Sequence, residues 1–577
     1  MGFLKTVAAG GQTWAHRIRM IRQVLRIACV FSLLSGLGFL GLKIFQEPNK
    51  SYQSLWYYGK SKIVGLIYDK ISVSSQFWSQ VSPHKYGDRS IEVQCKMLER
   101  ICKKHLTDFA SRFLCWLKQA GLLSSLIFVS FILFFLIKGL RTKRYKHITG
   151  GKIASPTAIA IHSKLRGKAS PIKIGKLPLM RGTETQHILI SGGTGSGKTN
   201  SFHHILPYIR KNNQRAVIVD TTGTFVSKYY QERRDILLNP FDIRGEPWHP
   251  WCECKNHFDY DALAQSFIPI SHSDYENYWR GAARSVFSAL LEKNQGTKKL
   301  SQLTQSLLKS TLSDLHKELK DSRASSHLDP STDKTAGSIR SVASSFLECL
   351  DYLKDSTEPF SIREWVQNDT KNGAWLFLVT TPSQRAVLVP LISAWYSIAM
   401  RSLMQMNTDL HRRLYFVSDE LPTLQKLREL ETCLAEGRKF GACALLAMQS
   451  PAQLEMIYGH HNARVIIGNC ATKVAFFEQD PTIAKQISQI FGEKEIEEPQ
   501  EGISYGAHQM RDGVSISSIK RTKPVVSTSD IQSLNKNVAF VKLPGKAPIT
   551  KLKLKYLRPK TIAQAFLPIP TLENMQS

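Results

Sequence analysis

Gly192-Gly193-Thr194-Gly195-Ser196-Gly197-Lys198-Thr199 fits the pattern G-x-x-x-x-G-K-[ST] at every fixed position. The apolar run Ile188-Leu189-Ile190 before it reads as a buried strand, and Thr199 through Tyr208 as the first turns of a helix. Between a strand and a helix, such glycines let backbone N–H groups curl around a β-phosphate, helped by the positive end of the helix. Lys198 then reaches the β- and γ-phosphates, and the Thr199 hydroxyl ligates Mg²⁺. The stretch predicts nucleoside triphosphate chemistry, with ATP the expected nucleotide.

Working outward, strand and helix signals alternate from Gln186 onward. Ala216–Val219 ends at Asp220, and Ile236–Leu238 runs into Asn239-Pro240-Phe241-Asp242. Trp375–Val379, Leu414–Val417, Ala444–Met448 and Lys473–Phe477 read as further strands. The pattern predicts an α/β fold with a parallel sheet and helices on both faces. One stretch breaks the alternation. Tyr275–Leu291, Leu300–Leu319 and Thr335–Leu353 carry apolar residues at helical spacing with no strand among them. We therefore divide this region into a nucleotide-binding domain over 186–273 and 366–560, an inserted all-α domain over 274–365, and a C-terminal tail over 561–577 that is expected to be loose beyond Leu567-Pro568-Ile569-Pro570.

A second set of residues completes the expected site. Leu414-Tyr415-Phe416-Val417-Ser418 runs into Asp419-Glu420. Asp419 can hold the Mg²⁺ shell through water, and Glu420 can polarise the attacking water as general base. Asp220 ends another strand, where ligands bind in such sheets. It either touches the metal shell and attacking water or fixes the turn that follows. Arg438, in Glu436-Gly437-Arg438-Lys439-Phe440-Gly441, is either a solvated basic loop residue or one that reaches a neighbouring subunit's γ-phosphate. Gln449 is either a polar strand exit or a sensor of that phosphate.

The chain of 577 residues carries 77 Lys and Arg against 46 Asp and Glu, a net charge of +31 spread along its length. That balance suggests a polyanionic partner, nucleic acid or an anionic membrane face. Ile27–Leu42 and Ala120–Ile137 are apolar and near bilayer-spanning length. Arg17, Arg19, Arg22 and Arg26 precede the first; Lys138, Arg141, Lys143, Arg144 and Lys146 follow the second. The positive-inside rule puts both ends in the cytoplasm. The expected order is a basic cytoplasmic end (1–26), a transmembrane helix (27–42), a periplasmic loop (43–119), a second transmembrane helix (120–137) and a connector (138–185). The ten cysteines form no disulfide framework, and Cys252-Glu253-Cys254 lacks a second ligand pair at zinc spacing.

In order and spacing these residues resemble the TraD/TrwB-like type IV coupling proteins of conjugation and type IV secretion, membrane-anchored relatives of the FtsK and HerA DNA translocases. The resemblance takes in the two membrane helices, the phosphate loop, Asn239-Pro240-Phe241-Asp242 and the helical insertion. It also takes in Ser418-Asp419-Glu420, Gly437-Arg438-Lys439 and Gln449. Glu501-Gly502-Ile503-Ser504-Tyr505-Gly506-Ala507 with Arg511-Asp512-Gly513-Val514 resembles the TraD side of the family.

The resemblance implies a RecA-like P-loop NTPase domain in a homo-hexameric ring around a central channel, with ATP bound between subunits. It implies that Arg438 is an arginine finger acting in trans and Gln449 the γ-phosphate sensor. It further implies a DNA-dependent ATPase anchored among the lipids of the bacterial inner membrane. That ring would link a relaxase-bound DNA complex (the relaxosome) to inner-membrane components of a type IV secretion channel and drive single-stranded DNA into it. Longer members carry an acidic tail that docks an accessory DNA-binding protein; no equivalent is seen after Pro570. Two rival readings are a double-stranded DNA pump of the FtsK type and a docking platform for protein substrates. Such pumps carry four membrane helices and a terminal winged-helix module, and neither is read here. Glu420 and Arg438 argue against a pure scaffold.

Overall fold

The computed structural model describes residues 2–68, 91–142, 146–271, 273–328, 333–368, 373–504 and 513–570. The chain divides into two compact units, one of residues 1–146 with 497–519 and one of 147–496 with 520–577.

In the first unit, helix α1 spans Gly2–Phe45, α2 Asn49–Tyr68 and α3 Ile91–Thr142. Met20–Phe45 and Cys102–Lys138 are long and apolar enough to cross a membrane. The Ser124 hydroxyl donates to the Ser32 carbonyl at 2.9 Å, and the Phe31 and Phe131 rings stack at 5.3 Å. A Cβ at Gly36 would stand 2.2 Å from Ser124 Oγ, so a side chain there would displace the Ser124 hydroxyl from its contact with α1. Leu33, Leu37, Leu122 and Leu126 face outward and are mostly exposed. The expected spans are embedded in longer helices, and much of the expected 43–119 loop is helical. Pro48 follows the end of α1, as a residue that disfavours helix before it should. Ile91 to Ala120 contains neither glycine nor proline, so the amphipathic and apolar segments fuse into one rod.

The second unit is built on a nine-stranded sheet: β1 Ile188–Ser191, β2 Arg215–Asp220, β3 Ile236–Leu238, β4 Trp375–Val379, β5 Leu414–Ser418, β6 Ala442–Met448, β7 Thr472–Ala475, β8 Val538–Lys542 and β9 Thr550–Lys553. Their order is β9-β8-β7-β1-β6-β5-β2-β4-β3. From β7 to β3 every pairing is parallel; β7–β8 and β8–β9 are antiparallel. The sheet is thus mixed, correcting the all-parallel expectation. Of the two strands that make it so, β9 alternates buried and exposed residues as an edge strand does. Between β7 and β8 two long strands, Glu493–Ser504 and Gly513–Pro524, lie inside the stretch expected to be nucleotide-binding domain. Of the Glu501–Ala507 and Arg511–Val514 segments, residues 505–512 lie outside the described residues.

The central strands are buried on both faces, which is why they read as continuous apolar runs. Ile218 and Val417 share one core with Phe202 and Ile205 of the Lys198–Lys211 helix. Val217, Phe416 and Leu446 share the other with Trp395 of the Arg385–Met404 helix and with the helical insertion. That Arg385–Met404 helix is also apolar enough to span a membrane, but it is 78% buried and forms core.

The far end of the insertion is stitched by a buried polar knot to the segment that precedes the insertion. Arg363 makes a two-pronged contact with Asp259 at 2.8 and 3.0 Å. Glu253 accepts from Trp248 Nε1 and from the backbone N–H groups of Ile362 and Arg363. The expected Leu300–Leu319 helix is broken. Ser310 is extended, and Thr311 starts a new helix, Leu312–Glu318, by accepting from the Asp314 N–H at 3.2 Å.

The first part of the expected tail, up to residue 570, is pinned to the second unit. Leu567 N–H donates to Asp242 Oδ2, Ile569 N–H to the Phe241 carbonyl, and Ile243 N–H to the Leu567 carbonyl. Pro568 and Pro570 have no N–H to give, so the segment donates at every second residue. Lys228 Nζ donates to Thr561 Oγ1 at 2.6 Å. Residues 571–577 lie outside the described residues.

Candidate nucleotide site

The phosphate loop leaves β1 through Gly192 (φ 147°), Gly195 (φ 71°) and Gly197 (φ 123°), backbone that side chains resist. At two of these a Cβ would also collide: at 2.7 Å from Phe476 Cβ at Gly192, and at 2.7 Å from Asn537 Oδ1 at Gly197. Loop and helix open onto a cleft of about 490 Å³, lined by Thr194, Gly195, Gly197, Lys198 and Thr199 on one side and Asp419, Glu420 and Gln449 on another. Gly192, Gly193 and Ser196 belong to the loop behind this lining.

Sequence-distant residues meet here because β5 and β6 end at the same edge of the sheet as β1. Thr199 Oγ1 donates to Asp419 Oδ2 at 2.8 Å. Gln449 Nε2 donates to Glu420 Oε2 at 3.2 Å, while Thr194 Oγ1 approaches Gln449 Oε1 at 3.5 Å. Lys198 folds back onto the Gly192 and Gly193 carbonyls at 2.7 and 3.2 Å.

Burial raises Asp419 to about 6, against the Thr199 hydrogen bond and the Lys198 charge, which favour the carboxylate. Burial likewise raises Glu420, opposed by Lys198 and Gln449, and lowers Lys198, opposed by Glu420 and Asp419. Asp419 Oδ1 and Glu420 Oε1 are buried with no hydrogen-bond partner. Two buried carboxylate oxygens left open beside a hydroxyl suit a hard divalent cation.

Asp220 lines the cleft and also holds the turn beside it. Its oxygens accept from the backbone N–H groups of Thr222, Thr224, Phe225 and Val226, so it fixes the turn after β2. Arg438 is exposed in the Gly437–Phe440 turn before β6, whereas Gln449 follows β6. Seven residues of strand, about 20 Å, separate the two edges. Arg438 therefore does not reach the cleft of its own chain.

Sequence reasoning missed Arg385, Asn200, Lys536, Asn537 and Tyr556, which also line the cleft. Arg385 donates to the Thr221 carbonyl at 3.1 Å and contributes positive charge toward Glu420. Asn200, one residue past Thr199, was within reach of the motif; the others depended on knowing how β8, β9 and the Arg385–Met404 helix fold back. His187, also missed, precedes β1 at φ 60°. Its Nδ1 accepts from the Ala444 N–H and its Nε2 donates to the Leu434 carbonyl, both at 3.1 Å, joining β1 to β6. Burial lowers it to about 4, against the pull of that carbonyl.

A phosphate loop on a central strand, with an acidic pair two strands away on a mixed sheet, defines the RecA-like P-loop NTPase fold. The particular family follows from comparison. Residues 171–555 match the model of the type IV secretion-system coupling protein DNA-binding domain, and the chain belongs to that family. It is 38% identical over 443 residues to the coupling protein TraD of Escherichia coli (strain K12), covering 74% of this chain and 62% of that one. It is 23% identical over 234 residues to the type IV secretion system-coupling protein VirD4 of Bartonella henselae, covering 40% and 36%. The chain thus spans less than two thirds of the length of these relatives. Among solved structures it resembles the bacterial conjugative coupling protein TrwBΔN70, with TM-score 0.67 and 28% identity over 73% of this chain and 97% of that one. It also resembles plasmid coupling protein TrwB in complex with ADP and Mg²⁺, with TM-score 0.66 and 28% identity over 74% and 98%.

Proposed function

We propose that this chain is the ATP-hydrolysing coupling protein of a type IV secretion or conjugation system, anchored in the bacterial inner membrane. The observation that carries the reading is the single cleft in which Thr199 meets Asp419 and Gln449 meets Glu420. The solved TrwB complexes with ADP and Mg²⁺ and with an ATP analogue support nucleotide and metal in the equivalent cleft.

In this reading the loop from Gly192 to Gly197 cradles the phosphates, and Lys198 leaves its carbonyl contacts to take them up. Thr199 and Asp419 would hold Mg²⁺, which would supply charge neutralisation on the phosphates. Glu420, less acidic than usual through burial, accepts the proton of the attacking water. Gln449, bonded to Glu420, senses the γ-phosphate and reports hydrolysis. Arg438 completes the site of a neighbouring subunit, which requires a ring; a homo-hexamer is the ring we infer. The wide separation of Arg438 from its own cleft supports this.

The cargo is single-stranded DNA with its bound relaxase, handed to the inner-membrane part of the channel. The net charge of +31 supports a polyanionic cargo. The two long apolar stretches support a two-helix anchor with both termini cytoplasmic. The test is ATP turnover by the full chain in lipid nanodiscs with single-stranded oligonucleotides. Stimulated turnover, lost in Lys198→Ala, supports the proposal; turnover indifferent to DNA and to Lys198→Ala contradicts it.

A further inference from the structure

The sheet order fixes the direction in which a nucleotide lies. Asp419 and Gln449 follow β5 and β6, and Asp220 ends β2, all on one side of the phosphate-loop strand β1. Asn537 precedes β8 and Tyr556 follows β9, both on the other side. A triphosphate seated on the loop with its γ end toward Asp419 and Glu420 therefore carries its nucleoside toward Asn537 and Tyr556. Tyr556 is the one aromatic residue among those lining the cleft, and it is 55% exposed.

The backbone that presents Tyr556 is held on both sides. Leu554 N–H donates to the Asn537 carbonyl at 2.8 Å. Asn200, itself buried, donates from Nδ2 to the Lys555 carbonyl at 3.1 Å and accepts from the Leu557 N–H at 2.9 Å. His204 Nε2 donates to the same Lys555 carbonyl at 2.8 Å. Asn537, at φ 60°, donates its N–H to the Ser196 carbonyl and accepts from Asn200 Nδ2 at 3.1 Å. The phosphate loop, its helix and the Lys555–Leu557 segment thus form one connected frame. The Arg558 guanidinium lies over the Tyr556 ring at 5.5 Å, a cation–π contact.

We propose that Tyr556 is the base-stacking platform of the nucleotide cleft, taking the purine ring of a nucleoside triphosphate. The inference rests on the nucleotide-binding reading of that cleft. A half-exposed tyrosine on a fixed backbone offers a flat apolar face at small entropic cost. Stacking recognises a π-face that every base has, so the subsite accepts ATP and GTP nearly alike.

The test is calorimetric binding of ATP, GTP and inorganic tripolyphosphate to the detergent-solubilised full chain, each with Mg²⁺. Tyr556→Ala is expected to weaken ATP and GTP about tenfold or more, to leave tripolyphosphate unchanged, and Tyr556→Phe to keep wild-type affinities. Unchanged ATP affinity in Tyr556→Ala overturns the inference. Equal loss of ATP and tripolyphosphate also overturns it, because the residue would then support the loop rather than meet the base. A wild-type chain that binds neither ATP nor tripolyphosphate instead contradicts the underlying nucleotide reading.

Discussion

Thr199 Oγ1 donates a 2.8 Å hydrogen bond to Asp419 Oδ2, although 220 positions separate them. The contact exists because β1 and β5 flank β6 in parallel, so their carboxyl ends lie side by side. It holds the hydroxyl and carboxylate where a magnesium ion would need both. Thr199→Val keeps the shape and removes the oxygen. We predict that it weakens Mg²⁺-dependent ATP binding at least tenfold and that Thr199→Ser restores it, measured by titration with and without chelator. Equal affinity in the valine variant contradicts the metal role.

Arg438 lies at the sheet edge opposite its own cleft. Arg438→Ala is expected to lose about a thousandfold in turnover while binding ATP as the wild type does. Mixed with Lys198→Ala under conditions where rings exchange subunits, it should recover part of the activity. No recovery in demonstrably mixed rings removes the support for action across an interface.

His187 makes stability sensitive to acid. Unfolded it titrates near 6.5, and folded near 4. Between those values the unfolded chain binds more protons. The contribution is complete above about pH 6.5, falls as pH drops through the window, and levels below about 4. The full shift corresponds to about 3 kcal/mol. Denaturation midpoints from pH 7.5 to 4.5 should fall steeply in the wild type and less steeply in His187→Gln. Parallel slopes would show that His187 is not responsible.

Arg363 and Asp259 form a buried pair with side chains 4% and 1% exposed. Arg363→Ala strands a buried carboxylate and should cost about 3–5 kcal/mol. The double change Arg363→Met, Asp259→Leu should cost less, read from denaturant unfolding. A double variant worse than the single one contradicts this account of the knot.

If DNA is held by lysine and arginine, its affinity must fall with salt. For single strands, log K against log salt should slope by about −0.7 for each phosphate contacted. A flat dependence contradicts a basic DNA path.

The seven parallel strands were legible because burial on both faces leaves continuous apolar runs such as Leu414–Ser418. The motif at 192–199 and the Asp419-Glu420 strand exit carried the site in the sequence itself. Tyr556 was not legible, because its place depends on Asn200 capturing a segment more than 350 residues later. β9 escaped because an alternating edge strand looks like loop when read alone. The helices of the first unit ran longer than their apolar cores, since hydropathy marks where a bilayer would lie and not where a helix stops.

Glu420 bears the central claim most directly. Steady-state ATP hydrolysis by the full chain in nanodiscs, with single-stranded DNA, should fall at least about a hundredfold in Glu420→Gln. ATP affinity should stay within about threefold, since the change removes the base and keeps the shape. Turnover at the wild-type rate in Glu420→Gln would contradict the assignment of this cleft as the hydrolytic site.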